Sequence, residues 1–403
     1  MAMPLDGVRV IDWTIWQQGP ACSAMLGDLG AEVIKIEERV GGDPGRGVLI
    51  MAGLDISDMP NAYFESTNRN KKSITLDLKK DGAKQIVYEL IAKSDIFVQN
   101  FRKGVADRLG LDYETLKQHN EKLIYATASG YGPEGPESGD PSFDLLGQAR
   151  SGIMMAGGEP GAPPQSLAGG PADQMGAVMM AYGILAAYIA REKHGTGQRV
   201  DASHLGSMMW LQALSVSSKV MTGGAHPRST RAAPGNPLWN HYRCSDDQWL
   251  SLAMLQADRY WADFTKAIER PELATDERFL DLRVRAKNSK ACVAILDEAF
   301  ATKPRAEWLE ILRHGGDFIF CVVNSVNDLP DDPQVIANDY IVDFDHPRHG
   351  PTKVQGMPVK LHETPGEVRF PAPEFGEHTE QVLTEILGYS WEKVAELRER
   401  EIT

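Results

Sequence analysis

The sequence has little cysteine: four residues in a chain of 403, all far apart. Cys22, Cys244, Cys292 and Cys321 form no CxxC pair, so the sequence predicts neither a disulfide framework nor a zinc cluster. Free thiols are typical of a reducing compartment. The segment from Met1 also has neither the charged nor the apolar part of a signal peptide. We therefore expect a cytoplasmic protein.

Positive charge is in deficit, because 42 Lys and Arg face 56 Asp and Glu, a formal net charge of −14. Such a surface repels nucleic acid and anionic membranes, so we expect neither as a partner. Long apolar runs are also missing. The uncharged stretch Gln174–Ala190 contains Gly176 and Gly183 and falls short of the roughly 20 apolar residues of a membrane span. It predicts a buried helix of a globular domain.

Familiar cofactor and metal motifs are absent as well. No GxGxxG follows the first predicted strand, and the chain has no P-loop and no HExxH. Its ten histidines are scattered without paired spacing, which favours surface or capping roles. We therefore expect no metal and no permanently bound cofactor.

Strands alternate with helices over the first 135 residues or so, a pattern typical of a parallel, doubly wound sheet. The sequence predicts strands at Val8–Thr14, Glu32–Ile36, Ser73–Leu78, Asp95–Asn100 and Lys122–Thr127, and helices from Gly19 to about Gly30, at Gly82–Lys93 and at Tyr113–His119. The expected fold class is α/β, with a Rossmann-like large domain.

A chain of 403 residues exceeds the usual size of a single core, so we expect a second domain. The predicted division is a large domain over 1–205, a linker over 206–239, a smaller α+β domain over 240–330, a loop-rich linker over 331–375, and returning C-terminal helices over 376–403. One long apolar helix is expected at Leu205–Val220.

Ligands of such folds bind beyond the carboxyl ends of the strands. Those ends carry Trp13–Gln18, Asn100–Lys103 and Ser129–Gly132. Trp16 in the first of these turns indicates an apolar or aromatic substrate. Asp173 precedes the uncharged stretch, where it has two interpretations: an N-cap of the helix, or a carboxylate directed into the cleft.

The order of several short motifs resembles the class III CoA-transferase family, the CaiB/BaiF type that includes formyl-CoA:oxalate CoA-transferase. The matching segments are Leu5–Asp12, Gln17–Pro20, Leu29–Glu37, Asn70–Ile74, Leu76–Lys79, Val98–Arg102, Asp107–Leu111, Gly195–Asp201 and Gly376–Glu380. Each motif alone is weak, but their order and spacing together are specific. The resemblance implies a CoA-transferase.

The resemblance also implies roles for individual residues. Asp173 would be the catalytic nucleophile and Gln17 a second active-site residue. Independently of the resemblance, we expect the neighbours of Gln17, Trp16 and Gln18, to contact the substrate. Coenzyme A, here a substrate, would lie in the large domain against Arg39, Leu76, Lys79, Asn100, Phe101 and Arg108. Each chain would form a ring in an interlocked dimer, either a homodimer or a pair with a homologous second subunit.

Two departures from the family pattern stand out. No run of glycines occurs near Arg231–Leu252, where some members carry one to cover the aspartate, and Glu38 replaces a basic residue near the CoA phosphates.

The expected reaction moves CoA from an acyl-CoA to a carboxylic acid through an aspartyl anhydride and an aspartyl-CoA thioester. One alternative is an acyl-CoA racemase of the same superfamily, which would need a histidine where Phe143 stands within Pro141–Asp144. The other is a non-catalytic CoA-binding subunit of a hetero-oligomer, against which the presence of Asp173 and Gln17 speaks.

Overall fold

The protein is described by a computed structural model that covers residues 2–51 and 53–403. Its chain divides into two compact units. The first comprises the residues up to Met154, Ser166–Gly224 and Ile336–Thr403, and the second comprises Met155–Gln165 and Ala225–Val335. The strands are β1 (Arg9–Trp13), β2 (Glu32–Glu38), β3 (Ile50–Met51), β4 (Leu54–Asp55), β5 (Lys71–Leu76), β6 (Ile96–Gln99), β7 (Ile124–Ser129), β8 (Arg199–Ser203), β9 (Trp239–Arg243), β10 (Trp249–Ala253), β11 (Phe320–Val323), β12 (Ile341–His346) and β13 (Gly350–Gln355).

The helices cover both units, and none within the described residues has the length and apolar content to cross a membrane. They are α1 (Gln18–Asp28), α2 (Ala62–Asn68), α3 (Asp81–Ile91), α4 (Val105–Leu109), α5 (Tyr113–Lys117), α6 (Asp144–Ser151), α7 (Pro171–His194), α8 (His204–Leu211), α9 (Ala213–Thr222), α10 (Ala257–Ala267), α11 (Leu282–Lys287), α12 (Ser289–Phe300), α13 (Arg305–Gly315), α14 (Pro333–Ala337), α15 (Thr379–Gln381) and α16 (Trp391–Glu399). A π-helical turn at Val382–Ile386 continues α15.

The first unit is built on a parallel sheet of six strands in the order β5-β2-β1-β6-β7-β8. The chain runs outward from β1 in one direction and then returns to β6 and continues in the other. A doubly wound sheet reverses in this way, and a crevice forms beyond the carboxyl ends of the paired strands β1 and β6, where the connections leave in opposite directions. The predicted parallel α/β architecture is confirmed.

Both faces of this sheet are covered, as a parallel sheet requires. On one face, Ile11, Ile34 and Phe97 pack against α3 and the C-terminal helices. On the other face, Val10 and Val98 pack against α1 and α7. Each such side chain stabilises the fold by about 1.5–3 kcal/mol relative to exposure to water. The helix α7 therefore lies at a fixed place on the sheet.

The second unit is a smaller α+β assembly. Its antiparallel sheet has the order β11-β10-β9, and its core includes Trp261, Phe264, Phe300 and Trp308 from α10, α12 and α13.

One local feature went unpredicted, and one local prediction is wrong. Within the loop-rich linker expected over 331–375, β12 and β13 pair as an antiparallel hairpin. Its frequent prolines, among them Pro351 inside β13, hid the strand pattern. The helix expected at Leu205–Val220 is divided at Gln212, whose side-chain amide donates to the carbonyls of Met208 and Ser151.

Buried charges link β1, β2 and β5. Lys35 Nζ lies 2.8 Å from Asp43 Oδ2 and donates to the carbonyl of Thr14 at 2.9 Å. Lys71 Nζ lies 2.8 Å from Asp12 Oδ2. Burial lowers the pKa of Lys35, but the Asp43, Asp12 and Glu37 carboxylates more than offset this effect, so the net shift is upward. Burial raises the pKa of Asp12, and Lys71 and Lys35 reverse that shift, leaving it below its ordinary value.

We predict that Lys35→Met lowers the free energy of unfolding by about 3–5 kcal/mol, because it leaves Asp43 charged and buried without its cation. Urea denaturation followed by circular dichroism measures this. The matched control is Lys393→Met, which removes the exposed pair of Lys393 with Glu396 and should cost less than about 1 kcal/mol. Equal effects of the two substitutions would contradict the role given to the buried pair.

Candidate active site

A cavity of about 330 Å³ opens at the carboxyl ends of β1, β6 and β7, in the crevice of the sheet. Its walls come from the turns after these strands, from α2, and from the start of α6, α7 and α8. They are formed by Ile15, Trp16, Gln18, Tyr63, Asn100, Phe101, Arg102, Lys103, Val105, Ala128, Ser129, Gly130, Ser138, Asp140, Ser142, Phe143, Asp173 and His204. This volume lies at the lower end of the range typical of small-molecule sites, about 300–1,000 Å³.

The turn after β1 is held in an unusual conformation. Trp16 has φ of 66°, in the left-handed region that a bulky residue rarely adopts. Asn100 fixes the neighbouring residue on both sides: its Oδ1 accepts from the Ile15 amide at 2.9 Å, and its Nδ2 donates to the Ile15 carbonyl at 2.7 Å. The Trp16 amide donates to Asp43 Oδ1 at 3.1 Å. The buried charges and Asn100 therefore present Trp16 to the cavity.

Asp173 lies in the first turn of α7, and its side chain is 15% exposed. It is not the N-cap, so the capping interpretation is wrong. The N-cap is Gly170, whose φ of 71° a side chain would strain. Asp144 of α6 supplies the missing acceptor, because its Oδ1 accepts from the amides of Ala172 at 2.7 Å and Asp173 at 3.2 Å. The Asp173 carboxylate is thus left for other contacts.

The partner of Asp173 is a buried histidine. His204 Nε2 lies 2.8 Å from Asp173 Oδ1, and His204 Nδ1 lies 3.2 Å from Ser142 Oγ. The sequence interpretation of the histidines as surface or capping residues is wrong at this position. Only the fold brings α7 and α8 together, so no motif in the sequence signals the contact.

Tyr63 of α2 is a second cavity residue that the sequence interpretation missed. Burial, together with the Asp173 and Asp43 carboxylates, raises the pKa of its phenol well above the ordinary value. The hydroxyl therefore stays protonated and can donate a hydrogen bond. The helix α2 is short and shows no apolar periodicity that would have pointed to it.

The two glutamines after Trp16 occupy different places. Gln17 is not one of the residues that line the cavity. Its Nε2 lies 3.4 Å from the carbonyl oxygen of Gly169, just before the start of α7. Gln18 is buried and lines the cavity, with its amide against Gly176 of α7. Trp16 and Gln18 therefore share the cavity with Asp173, and Gln17 lies at its edge.

The residues assigned to coenzyme A lie at or after the carboxyl ends of β2, β5 and β6. Asn100 and Phe101 line the cavity, and Phe101 stacks on Trp13 with ring centroids 4.2 Å apart. Arg39 follows β2 and donates to the Thr403 carbonyl, while Lys79 and Arg108 are exposed after β5 and on α4. Leu76 is buried in the core, so only its backbone could face a ligand. Among the described residues, no group of three or more His, Cys, Asp or Glu could hold a metal ion.

Comparison with known proteins identifies the family of this chain. The model of CoA-transferase family III matches residues 5–379. The chain belongs to this family. It is 32% identical to an (R)-2-hydroxy-4-methylpentanoate CoA-transferase of Clostridioides difficile, with 99% of each chain covered. It is 36% identical to an acetyl-CoA:oxalate CoA-transferase of Acetobacter aceti, with 90% of this chain and 92% of the relative covered.

A solved structure agrees with this membership. The crystal structure of a CaiB/BaiF family protein from Brucella suis matches with a TM-score of 0.84 at 29% identity, over 96% of this chain and 100% of that chain. The resemblance found in the sequence is confirmed. The protein is an enzyme of the family III class, and CoA thioesters are the substrates of that class.

For this family III enzyme we predict that Asn100→Asp lowers both stability and catalytic efficiency. The substitution removes the donor to Ile15 and places a carboxylate beside that carbonyl, at a cost of about 1–3 kcal/mol in unfolding free energy. Loss of the hydrogen bonds between Asn100 and Ile15 should also displace Trp16 and so reduce kcat/KM.

Asn120→Asp is the matched control, because Asn120 Nδ2 likewise donates to backbone carbonyls, those of Ile91 and Ser94, outside the cavity. It should cost similar stability and leave kcat/KM unchanged. Equal losses of kcat/KM in the two variants would contradict a specific role of Asn100.

Proposed function

We propose that this enzyme transfers coenzyme A from an acyl-CoA to a carboxylic acid, with Asp173 as the covalent nucleophile. The observation that carries the proposal is the Asp173 carboxylate in the cavity wall at the start of α7, with its helix end capped by Asp144. A carboxylate is ionised at neutral pH and needs no base to activate it. The amino end of a helix also favours negative charge nearby.

The proposed reaction has four displacements. The Asp173 carboxylate attacks the thioester carbon, the carbon–sulfur bond breaks, CoA leaves as a thiolate, and the acyl group stays on Asp173 as a mixed anhydride. The thiolate attacks the aspartyl carbon and expels the donor acid, giving an aspartyl-CoA thioester. The acceptor carboxylate attacks that carbon and releases the thiolate, forming a second anhydride. The thiolate finally attacks the acceptor acyl carbon and regenerates Asp173.

The first displacement is uphill. A carboxylate is much less basic than the thiolate it expels, and the difference in reference pKa values corresponds to about 6 kcal/mol. Hydrogen-bond donors and retained CoA binding must offset this cost. Gln17, Gln18 and the protonated Tyr63 are the donors proposed for this purpose, since they lie around Asp173 and the start of α7.

The proposed CoA path runs along the carboxyl edge of the sheet. Arg39, Lys79 and Arg108 would meet the phosphates, Leu76 would contribute backbone, and Asn100 and Phe101 would border the thiol end. Local cations are needed because the chain as a whole carries a net charge of −14.

The acyl or acceptor group is proposed to be apolar or aromatic on the side that faces Trp16. Trp16 and Phe143 meet edge to face in the cavity wall, with centroids 6.0 Å apart, and Phe143 stays 55% exposed. An apolar surface of this kind favours a hydrocarbon chain or ring. We also propose a cytoplasmic location, because the four cysteines are free, as is typical of a reducing compartment.

Asp173→Asn should abolish transfer while the fold persists. The neutral amide is nearly inert as a nucleophile, and loss of a covalent catalyst commonly costs about 10³- to 10⁶-fold in kcat. The wild-type enzyme incubated with acetyl-CoA and then hydroxylamine should carry a hydroxamate on the peptide that contains Asp173, detected by mass spectrometry.

Asp112→Asn is the matched control, because Asp112 caps the short helix α5 and lies outside the cavity walls. It should keep full activity and the same trapped adduct. An Asp173→Asn enzyme that retains more than a tenth of wild-type activity, with no adduct in the wild type, would contradict the proposed nucleophile.

We propose a homodimer of interlocked rings as the working assembly. The support within the first unit is a set of large apolar side chains exposed on α8 and α9. Leu214 is 87% and Met221 84% exposed, and Trp210 and Val220 are exposed beside them. A second copy of the chain is the proposed cover for this surface, because exposed apolar patches of this kind mark interfaces.

The double substitution Leu214→Glu, Met221→Glu should shift the protein from dimer toward monomer or aggregate, since charge would be buried at the interface. Sedimentation velocity measures the distribution. Trp391→Glu, which changes an exposed apolar residue on α16, should leave the dimer intact. A wild-type protein that sediments as an active monomer would contradict the proposed assembly.

A further inference from the structure

We propose that His204 is a catalytic hydrogen-bond donor that stabilises negative charge on Oδ1 of Asp173 whenever the aspartyl carbon is attacked. The inference deepens the proposed function and rests on Asp173 being the nucleophile. It assigns a catalytic role to a residue for which the sequence favoured a surface or capping role.

The Asp173 carboxylate determines which atom carries the proton that it shares with His204. An ionised carboxylate only accepts hydrogen bonds, so the proton between His204 and Asp173 belongs to His204 Nε2. In the neutral imidazole Nδ1 is then an acceptor, and Ser142 Oγ is the donor to it. The Asp173 carboxylate, which can only accept, therefore sets the tautomer, and the Ser142 hydroxyl pairs with the other ring nitrogen.

The imidazole has little freedom to leave this position. Its side chain is 5% exposed, and the amide of the next residue, Leu205, donates to the Gly130 carbonyl after β7 at 3.0 Å. A Cβ on Gly147 of α6 would lie 2.7 Å from the Cβ of His204, so α6 and α8 touch closely there. A donor held this firmly reorganises little during the reaction.

The charge on Oδ1 changes at the two displacements that attack the aspartyl carbon. Thiolate attack on the anhydride and acceptor attack on the thioester both pass through a tetrahedral species. In that species Oδ1, the carbonyl oxygen until then, carries a full negative charge. In the resting carboxylate the charge is shared between Oδ1 and Oδ2. His204 therefore interacts more strongly with these transition states than with the resting enzyme, the condition for acceleration.

In the first displacement His204 does not need to stabilise new negative charge on Oδ1. There Asp173 is the attacking group, and the new charge develops on the acyl oxygen of the substrate. Attack through Oδ2 leaves the hydrogen bond to Oδ1 in place. Loss of a single oxyanion donor costs about 10²- to 10³-fold in kcat.

The test compares His204→Leu, which removes the donor, with His204→Gln, which keeps an amide N–H. Both are assayed for transfer from acetyl-CoA to a carboxylic acid that the wild type accepts. Each enzyme is also incubated with acetyl-CoA alone, quenched with acid at increasing times, and weighed intact to follow the aspartyl-CoA adduct.

We expect His204→Leu to lose about 10²- to 10³-fold in kcat, with a small change in KM. Its adduct should form more slowly by a similar factor. The final adduct level should still equal or exceed that of the wild type, because removing the His204 donor destabilises the free Asp173 carboxylate more than the neutral aspartyl-CoA thioester. His204→Gln should recover most of the rate. His346→Leu is the matched control, because His346 is also buried, with Nε2 3.2 Å from Glu65 Oε1, and it should keep wild-type kcat.

Three outcomes would overturn the proposal: a His204→Leu kcat within threefold of the wild type, a lowered final adduct level in folded His204 variants, or His204-dependent exchange of the α-hydrogen of the acyl-CoA with deuterated water. The second would make His204 only structural, and the third would make it a base. Absence of any adduct in the wild type would instead refute Asp173 as the nucleophile.

Discussion

The ion pair between Lys35 and Asp43 is the constraint on which the cavity depends. Burying two charges costs several kcal/mol each, and only close pairing with further hydrogen bonds offsets that cost. Both groups have such bonds, since Lys35 also holds the Thr14 carbonyl and Asp43 also holds the amides of Trp16 and Gly45. The pair thus ties β2 and the segment after it to the turn that follows β1, and it keeps Trp16 in its strained conformation.

A second constraint acts from the opposite wall, where the start of α7 is completed by another helix. Asp144 accepts hydrogen bonds from the first amides of the helix, which Gly170 cannot do because it has no side chain. The Asp173 carboxylate therefore stays available to the cavity. An N-cap supplied from a distance is less common than a local one, but it satisfies the same unpaired amides. If Asp173 itself capped α7, its carboxylate would be hydrogen-bonded to those amides and would not be available for the proposed attack.

Much of the first unit follows from local pattern. Strands that alternate with helices at short spacing have few arrangements open to them, so the parallel sheet and the residues at its carboxyl edge were predictable. The contact of His204 with Asp173 was not, because 31 residues separate them and only packing of α6, α7 and α8 brings them together. The hairpin at Ile341–His346 and Gly350–Gln355 was hidden for a different reason: its prolines are typical of loops, and pairing along an edge overrides that preference.

The positions of Phe143 and His204 favour CoA transfer over racemisation. A two-base racemase needs an acid and a base on opposite sides of the substrate α-carbon, free to exchange protons with it. Here the position of that histidine holds Phe143, whose ring faces Trp16, and the imidazole comes from α8 instead. His204 meets the Asp173 carboxylate directly at 2.8 Å, so no carbon can lie between them. The same two side-chain types, placed in contact rather than apart, favour attack by the carboxylate over removal of a proton.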